Sequence, residues 1–247
     1  MELGLKGRTA IVCGASSGMG LAIAEGLAAE GANVAMLARR RDVLEREAER
    51  IGALAERRDV TVPADLERLV ERTVSAFGGL DVLVLNSGGP PRTRAVDVTE
   101  DSLDETVRLL FSSAVHLVRL ALPHLRASGR GRIVAIASTS VKEPIDNLAL
   151  SNAVRPGLIG WLKTLARELG PDGITVNSIA PGWIDTERLR EVAPEGPSAS
   201  DLERIPLRRL GQPAEIADVA CFLASERGGY VTGATIAVDG GMTRSLL

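Results

Sequence analysis

Several residue types are scarce in this 247-residue sequence, and each scarcity excludes a class of function. The only two cysteines, Cys13 and Cys221, lie far apart in the chain, which excludes a disulfide framework and a cysteine-based metal cluster. Basic charge is not in excess, because the formal net charge is −3. We therefore expect no metal site, and neither nucleic acid nor an anionic membrane as the main partner.

Long apolar segments are missing as well. No run reaches the ~20 apolar residues that a membrane-spanning helix needs. The first residues lack the apolar core of a signal peptide, so a cytoplasmic protein is expected. Hydrophobic residues still make up 45% of the sequence and charged residues 25%, which is enough apolar mass for a substantial core.

A glycine-rich turn near the start carries the strongest functional signal. Residues 9–13 predict a short buried strand, after which Gly14, Gly18 and Gly20 lead into a helix that begins near Met19. Glycines at this spacing allow a tight turn, close approach of the backbone to a phosphate and close packing of helix on strand. The N-terminus of a helix also favours an anion. The order of strand, turn and helix favours a phosphate-binding site over an ordinary turn.

Strands and helices alternate along the whole chain. The predicted strands cover residues 9–13, 33–37, 60–62, 81–85, 132–138, 174–180 and 234–238, and the predicted helices cover residues 18–30, 41–55, 65–77, 103–125, 150–170 and 213–225. Continuous apolar strands are typical of a parallel sheet covered by helices on both faces. We predict one α/β domain over residues 1–247, a Rossmann fold with a doubly wound, seven-stranded sheet.

One long irregular insertion interrupts this pattern at residues 181–206. It is rich in proline, glutamate and serine and lies between a strand end and a helix. Loops of this length in a compact domain are usually lids or binding loops, so we expect it to cover the substrate. A surface excursion without a function is the alternative.

The end of the second strand indicates which dinucleotide binds. In such folds an acidic residue about 20 residues after the glycines holds the ribose 2′-hydroxyl of NAD. Here Arg39, Arg40 and Arg41 follow the strand, with no carboxylate before Asp42. An arginine can fork onto a 2′-phosphate, so NADP is favoured over NAD. A solvated basic surface is the alternative.

Together with the glycine turn, several later motifs resemble the short-chain dehydrogenase/reductase family, and most closely its 3-oxoacyl-acyl-carrier-protein reductase branch. These motifs are Asp65, Asn86-Ser87-Gly88, residues 131–134 before Ser138, and residues 165–168, 173–177, 181–186 and 238–241. The resemblance covers essentially the whole chain. It implies an oxidoreductase for a small carbonyl or acyl-thioester substrate, and a homotetramer built through the two long helices.

The expected cofactor contacts combine the glycine turn and the arginines with positions implied by the resemblance. Asp65 and Leu66 would lie by the adenine, Asn86 and Gly88 by the adenosine, and residues 181–186 around the nicotinamide. The full set is Gly14, Ser16, Ser17, Gly18, Met19, Gly20, Arg39, Arg40, Asp65, Leu66, Asn86, Gly88, Arg155, Pro181, Gly182, Ile184 and Thr186.

The catalytic positions depart from the family, which uses Asn, Ser, Tyr and Lys. Ser138 matches the serine that orients the carbonyl, whereas Ser151 and Arg155 stand at the Tyr and Lys positions, and Leu110 stands at the Asn position. A serine hydroxyl lacks the ring delocalisation that gives tyrosine a pKa near ~10. Arginine stays protonated, so it cannot relay a proton as lysine does. Arg155 can still bind the ribose or a phosphate, and its fixed charge could favour an anionic substrate.

Other side chains are weaker candidates for proton transfer. Lys142, on the loop after Ser138, is a speculative substitute, and a solvated lysine paired with Glu143 is the more ordinary interpretation. The one tyrosine, Tyr230, is predicted to pack near a subunit contact. The two histidines, at positions 116 and 124, are predicted to be structural or surface residues.

Two functions therefore stay open. The first is an NADP-dependent oxidoreductase with altered proton chemistry. The second is a catalytically impaired dinucleotide-binding protein that acts as a sensor or a structural subunit. Fold and cofactor site support both equally.

Overall fold

The architecture is a parallel sheet of seven strands, in a computed structural model that describes residues 2–192 and 195–246. The strands are β1 (Thr9–Cys13), β2 (Asn33–Ala38), β3 (Leu54–Arg57), β4 (Val82–Leu85), β5 (Arg132–Ile136), β6 (Thr175–Pro181) and β7 (Thr235–Val238). Their order in the sheet is β3-β2-β1-β4-β5-β6-β7, and every neighbouring pair is parallel. The predicted doubly wound, seven-stranded Rossmann sheet is confirmed.

Helices cover both faces of this sheet. They are α1 (Gly18–Ala29), α2 (Arg41–Ile51), α3 (Pro63–Phe77), α4 (Glu100–Val107), α5 (Ser113–Ser128), α6 (Ala149–Leu169), α7 (Glu187–Val192), α8 (Ala199–Glu203) and α9 (Pro213–Ala224), with a π-helical turn over Arg108–Ser112 between α4 and α5. Side chains alternate between faces along each strand. Val12 therefore packs in a core cluster with α1, α2 and α9, while its neighbour Ile11 packs in a second cluster with α3, α5 and α6.

The close approach of α1 to the glycine turn sets the geometry at the carboxyl end of β1. Gly14 and Gly18 have φ angles of 60° and 56°, a region that favours glycine. A Cβ atom on Gly20 would overlap the Gly14 carbonyl oxygen and would lie 2.7 Å from the Asn86 side-chain nitrogen. The first turn of α1 therefore packs directly on backbone, without a side chain between them.

The third strand, β3, lies earlier in the chain than the strand predicted from the sequence. The prediction of a helix over residues 41–55 and a strand over 60–62 was wrong, because α2 ends at Ile51 and β3 covers Leu54–Arg57. Gly52 adopts a left-handed conformation with φ of 69° and ends α2. β3 is an edge strand of mixed composition, so its apolar pattern is weak.

The insertion at residues 181–206 is not wholly irregular. It contains the two short helices α7 and α8, and a capping box at Ser198 starts α8. Two of its residues, 193 and 194, lie outside the described part of the chain.

By length and composition, the continuous helical segment Glu100–Ser128 is apolar enough to cross a membrane. Helices in protein cores also reach this length and apolar composition. In this fold Leu117, Ala121 and Leu125 of α5 pack into the core cluster on one face of the sheet.

Alanine substitutions at two glycines test the packing of the turn. Gly20→Ala has no room for its methyl group, and we expect it to lower the free energy of unfolding by about 1–3 kcal/mol. The matched control is Gly160→Ala in α6, where no atom lies within 4 Å of the added Cβ. We expect this control to raise the free energy of unfolding by about 0.5–1 kcal/mol through helix propensity. Urea denaturation measures both, and equal stability of the two variants would contradict the packing argument.

Candidate functional site

A cavity of about 650 Å³ opens at the carboxyl ends of the strands. The strand order changes direction between β1 and β4, so the loops after these two strands diverge and leave a crevice. The glycine turn forms one wall, and most of residues 86–92 after β4 form the opposite wall. The volume is typical of a small-molecule site.

Asn86 ties the two walls together. Its side-chain Nδ2 donates hydrogen bonds to the Cys13 carbonyl oxygen, at 3.1 Å, and to the Gly14 carbonyl oxygen, at 3.4 Å. The Cys13 thiol beside them is buried, and this burial raises its pKa to about 12. Cys13 is therefore an inert core residue and no nucleophile.

Arginines dominate the end of the cavity next to β2. Arg39 and Arg40 line it, and the Arg40 Nη2 donates to Ser17 Oγ at 2.8 Å and to Glu187 Oε2 at 2.9 Å. This hydrogen bond and the charge of Arg40 hold the pKa of Glu187 below its usual value. Arg40 thus connects the glycine turn, the end of β2 and the start of α7.

The side of the cavity after β3 differs from the prediction. Arg58, Asp59 and Val60 line it, whereas Asp65 and Leu66 are not among the described residues that do. Asp65 lies in the first turn of α3 and accepts a hydrogen bond from the Asp59 backbone nitrogen at 3.0 Å, and Leu66 is buried in the core. The adenine contacts of Asp65 and Leu66, which the family resemblance implied, stay a prediction.

The opposite end of the cavity holds a chain of hydroxyl groups. Ser138 follows β5, and its side chain accepts a hydrogen bond from the Ser140 backbone nitrogen at 3.1 Å. The Ser140 and Ser151 hydroxyl oxygens lie 3.1 Å apart, and both residues are buried. Ser151 sits in the first turn of α6, so the chain links the loop after β5 to the start of that helix.

Arg155 continues this chain one helical turn later. Its Nε donates to Ser151 Oγ at 3.2 Å, and its Nη1 donates to the Ile136 carbonyl oxygen at 3.3 Å. The residue is only 7% exposed, and no carboxylate among residues 2–192 and 195–246 forms an ion pair with it. Burial lowers its pKa to about 10, so the guanidinium stays charged at neutral pH.

The remaining catalytic candidates lie in different places. Leu110 is buried in the π-helical turn and faces a much smaller cavity, of about 20 Å³, that Arg155 also lines. Lys142 is not among the described residues that line either cavity. In the described structure Lys142 forms no ion pair with Glu143, whose Oε1 accepts a hydrogen bond from the Arg244 backbone nitrogen.

Four further residues that the sequence analysis discussed do not line either cavity in the described structure. Tyr230 is fully exposed on a turn before β7, so it packs against nothing within this chain. His116 and His124 both lie on α5 and line neither cavity in the described structure. Ile184 is buried in the core and bridges to Gly211, whereas the neighbouring Pro181, Gly182 and Thr186 line the cavity.

Several lining residues went unnoticed in the sequence. They come mainly from loops after the strands and from α7, and they are Arg58, Asp59, Val60, Ser87, Gly89, Pro90, Arg92, Leu109, Ile145, Leu148, Trp183, Arg188, Leu189 and Glu191. The α7 residues carried no usable signal, because the insertion was predicted to be irregular.

Metal-binding groups are not gathered at the site. Within the described ranges, no cluster of three or more His, Cys, Asp or Glu side chains is arranged to hold a metal ion. Ser138, Ser151 and Arg155 supply polar groups at the β5 end of the cavity, and neither serine nor arginine is a usual metal ligand.

Comparison with known sequences identifies a protein family whose members are similar to this chain. A protein-family profile described as enoyl-(acyl carrier protein) reductase matches residues 14–243. Cyclohexanol dehydrogenase from Rhodococcus sp. (strain TK6) is 35% identical, over 99% of this chain and 99% of the relative. The 3-oxoacyl-acyl-carrier-protein reductase of Escherichia coli (strain K12) is also 35% identical, over 97% of this chain and 99% of the relative.

Solved structures of reductases are similar to this chain over nearly its whole length. L-sorbose reductase from Gluconobacter frateurii, in complex with NADPH and L-sorbose, superimposes with a TM-score of 0.96 at 35% identity and full coverage of both chains. An NADPH-dependent reductase involved in bacilysin biosynthesis, YwfH, has a TM-score of 0.92 at 29% identity, over 97% of this chain and 99% of that one.

Replacing Arg155 tests the cost of its buried charge. We expect Arg155→Met to raise the free energy of unfolding of the ligand-free protein by about 1–4 kcal/mol, because it removes a desolvated cation. The folded-state pKa of Arg155 is lowered from 12.5 to about 10, so the folded protein binds this proton more weakly than the unfolded chain does. The stability difference between variant and wild type should therefore be constant at neutral pH and shrink as the pH rises through about 10.

Urea denaturation at several pH values measures this difference. Arg68→Met, at an exposed position on α3 outside the cavity, is the matched control and should change little. A loss of stability in Arg155→Met relative to this control would show that the charge is compensated within the folded protein.

Proposed function

The chain belongs to the short-chain dehydrogenase/reductase family, and we propose that it is an NADP-dependent oxidoreductase acting on a carbonyl/hydroxyl pair. One observation carries the proposal. Ser138, Ser151 and Arg155 lie at one end of the same cavity that has Arg39 and Arg40 at its other end. A single elongated ligand can therefore reach from the basic end to the row of serine hydroxyls.

The residues present fit a phosphorylated dinucleotide. Gly14, Gly18 and Met19 line the cavity beside the N-terminus of α1, where N–H groups favour a pyrophosphate. Arg39 and Arg40 stand where a 2′-phosphate would lie, and Arg40 also bonds Ser17. The NADPH in the complex of L-sorbose reductase supports the same choice for this chain. When bound, the reduced nicotinamide supplies the hydride that a carbonyl carbon accepts.

We propose an atypical active site in which Ser151 and Arg155 replace the family's tyrosine and lysine. Ser138 would orient the carbonyl oxygen by donating a hydrogen bond. Ser151 Oγ accepts from the Arg155 Nε, so its own hydrogen is available either to Ser140 or to a carbonyl oxygen. The adjacent guanidinium charge would stabilise negative charge that develops on either oxygen. Lys142 has no place in this scheme, because it does not line the described cavity.

A second candidate function is binding without turnover, as a sensor or a structural subunit. The observation that favours it is the weakness of the proton donor at Ser151. Neither a histidine nor a carboxylate forms a hydrogen bond with Ser151 in the described part of the chain, so no side chain there acts as its base. An aliphatic hydroxyl without a base is a poor proton shuttle near neutral pH.

The family relationship also supports a role for the insertion and an assembly. Residues of α7 line the cavity, so residues 181–206 are proposed to cover a small carbonyl or acyl-thioester substrate.

The helical segment Glu100–Ser128 is apolar, but only 33% of its most apolar window is buried within one chain. A homotetramer that packs α4, α5 and α6 against their symmetry copies would cover the rest.

Cofactor choice is tested by removing the two arginines. We expect the double variant Arg39→Ala, Arg40→Ala to weaken NADPH binding by about tenfold or more, because charge-assisted hydrogen bonds to the 2′-phosphate are lost. NADH affinity should stay close to that of wild type. Arg41→Ala is the control, since Arg41 pairs with Glu45 outside the cavity. Titration of cofactor fluorescence measures all the dissociation constants, and an equal loss for NADH and NADPH would overturn the assignment.

Turnover is tested with NADPH and a panel of ketones and acyl thioesters. We expect oxidation of NADPH, and we expect Ser138→Ala to lower kcat by about 10²–10³-fold through loss of a transition-state hydrogen bond. NADPH affinity should be unchanged by that substitution. Tight NADPH binding with no oxidation of any substrate would favour the non-catalytic function.

The triple variant Leu110→Asn, Ser151→Tyr, Arg155→Lys should gain reductase activity if these positions correspond to the family's tetrad.

A further inference from the structure

Arg155 is a buried cation that lacks a counter-ion. Its partners are a hydroxyl and a backbone carbonyl, and both are neutral. Its Nη2 has no hydrogen-bond partner among the described residues and is not fully buried. Arg155 also lines both cavities. A desolvated charge of this kind is costly unless a ligand of opposite charge completes it.

Most of the other charged side chains that line the cavity are also basic. Arg92 lines the cavity and forms no ion pair in the described structure. Arg188 pairs with Glu191 at 3.2 Å and donates to the Pro90 carbonyl oxygen at 3.1 Å. The described lining of the whole cavity holds six arginines and three carboxylates, and two of these carboxylates, Glu187 and Glu191, pair with Arg40 and Arg188. The local field is positive and attracts an anion.

The wall between these charges is apolar. Leu109 from the π-helical turn, Ile145 and Leu148 from the loop before α6, and Trp183 and Leu189 from the insertion all line it. A ligand that fits has an aliphatic or aromatic body and one anionic group.

We propose that the substrate is an oxo acid whose carboxylate pairs with Arg155 while its carbonyl oxygen meets Ser138 and Ser151. This inference rests on the proposed oxidoreductase function and names its substrate class. The bound cofactor does not supply the missing charge, because its phosphates belong at the glycine turn and at Arg39 and Arg40, on the other side of the cavity. Its nicotinamide ring carries no negative charge.

The test compares acids with matched neutral compounds in the NADPH complex. Pentanoate and pentanamide, which lack a ketone, give dissociation constants by calorimetry. For 2-oxopentanoate and 4-oxopentanoate against their methyl esters, affinity is compared as KM from NADPH oxidation, or by calorimetry where no oxidation occurs. We expect each acid to bind at least about tenfold more tightly than its neutral partner, as charge-assisted hydrogen bonds imply. Equal affinity of acids and neutral partners for the wild-type complex overturns the inference without any variant.

Variants test whether the charge of Arg155 causes the preference for acids. In Arg155→Gln the preference for acids should disappear, whereas Arg155→Lys, which keeps a cation, should retain part of it. Arg68→Gln, at an exposed position on α3 outside the cavity, should leave the preference intact. Retention of the full preference in Arg155→Gln would overturn the assignment to Arg155.

The inference and the proposed function fail in different ways. Tight binding of pentanoate and the oxo acids without NADPH oxidation supports the carboxylate site and counts against turnover. Reduction of the esters and the acids with equal kcat/KM supports the oxidoreductase and overturns the carboxylate site.

Discussion

The contact between α1 and the glycine turn is the constraint on which the rest of the site depends. Gly20 has no side chain, so the helix begins directly against the Gly14 carbonyl, and the amide of Asn86 bonds both Cys13 and Gly14. These contacts fix the separation of the β1 and β4 loops at the point where the strand order reverses. A Cβ atom here would displace α1 and change the width of the crevice.

From that crevice the site extends in two electrostatically different directions. Toward β2, Arg40 is exposed and already paired with Glu187, so solvent and a carboxylate share its charge. Toward β5, Arg155 is buried and bonded only to neutral groups. The first arginine can exchange partners at little cost, because surface ion pairs contribute little to stability. The second holds its charge at a permanent cost, which a ligand can offset.

The sequence predicted the fold well where hydrophobic strands lie inside the sheet. β1, β4, β5 and β6 are buried along their whole length, and β1, β4 and β5 each contain a run of four apolar residues, whereas β6 also buries Asn177 and Ser178. β3 was missed because it is a partly exposed edge strand whose four residues include Glu56 and Arg57. The grouping of Ser138, Ser151 and Arg155 was implied by the family resemblance, and all three line one cavity. The lining residues of α7 and the bond between Ser140 and Ser151 could not be predicted, because they depend on side-chain packing between elements distant in the chain.

The identity of residue 155 has a physical explanation in the burial of its position. A lysine begins from an ordinary pKa of ~10.4, and desolvation without a carboxylate partner would bring it toward the neutral range. Arginine begins higher, and Arg155 keeps a pKa of about 10 under the same burial. With no tyrosine beside it to share a proton, a lysine here would risk losing its charge near neutral pH. Arginine therefore suits a site whose need at this position is a permanent positive charge, and it gives up the capacity to exchange protons.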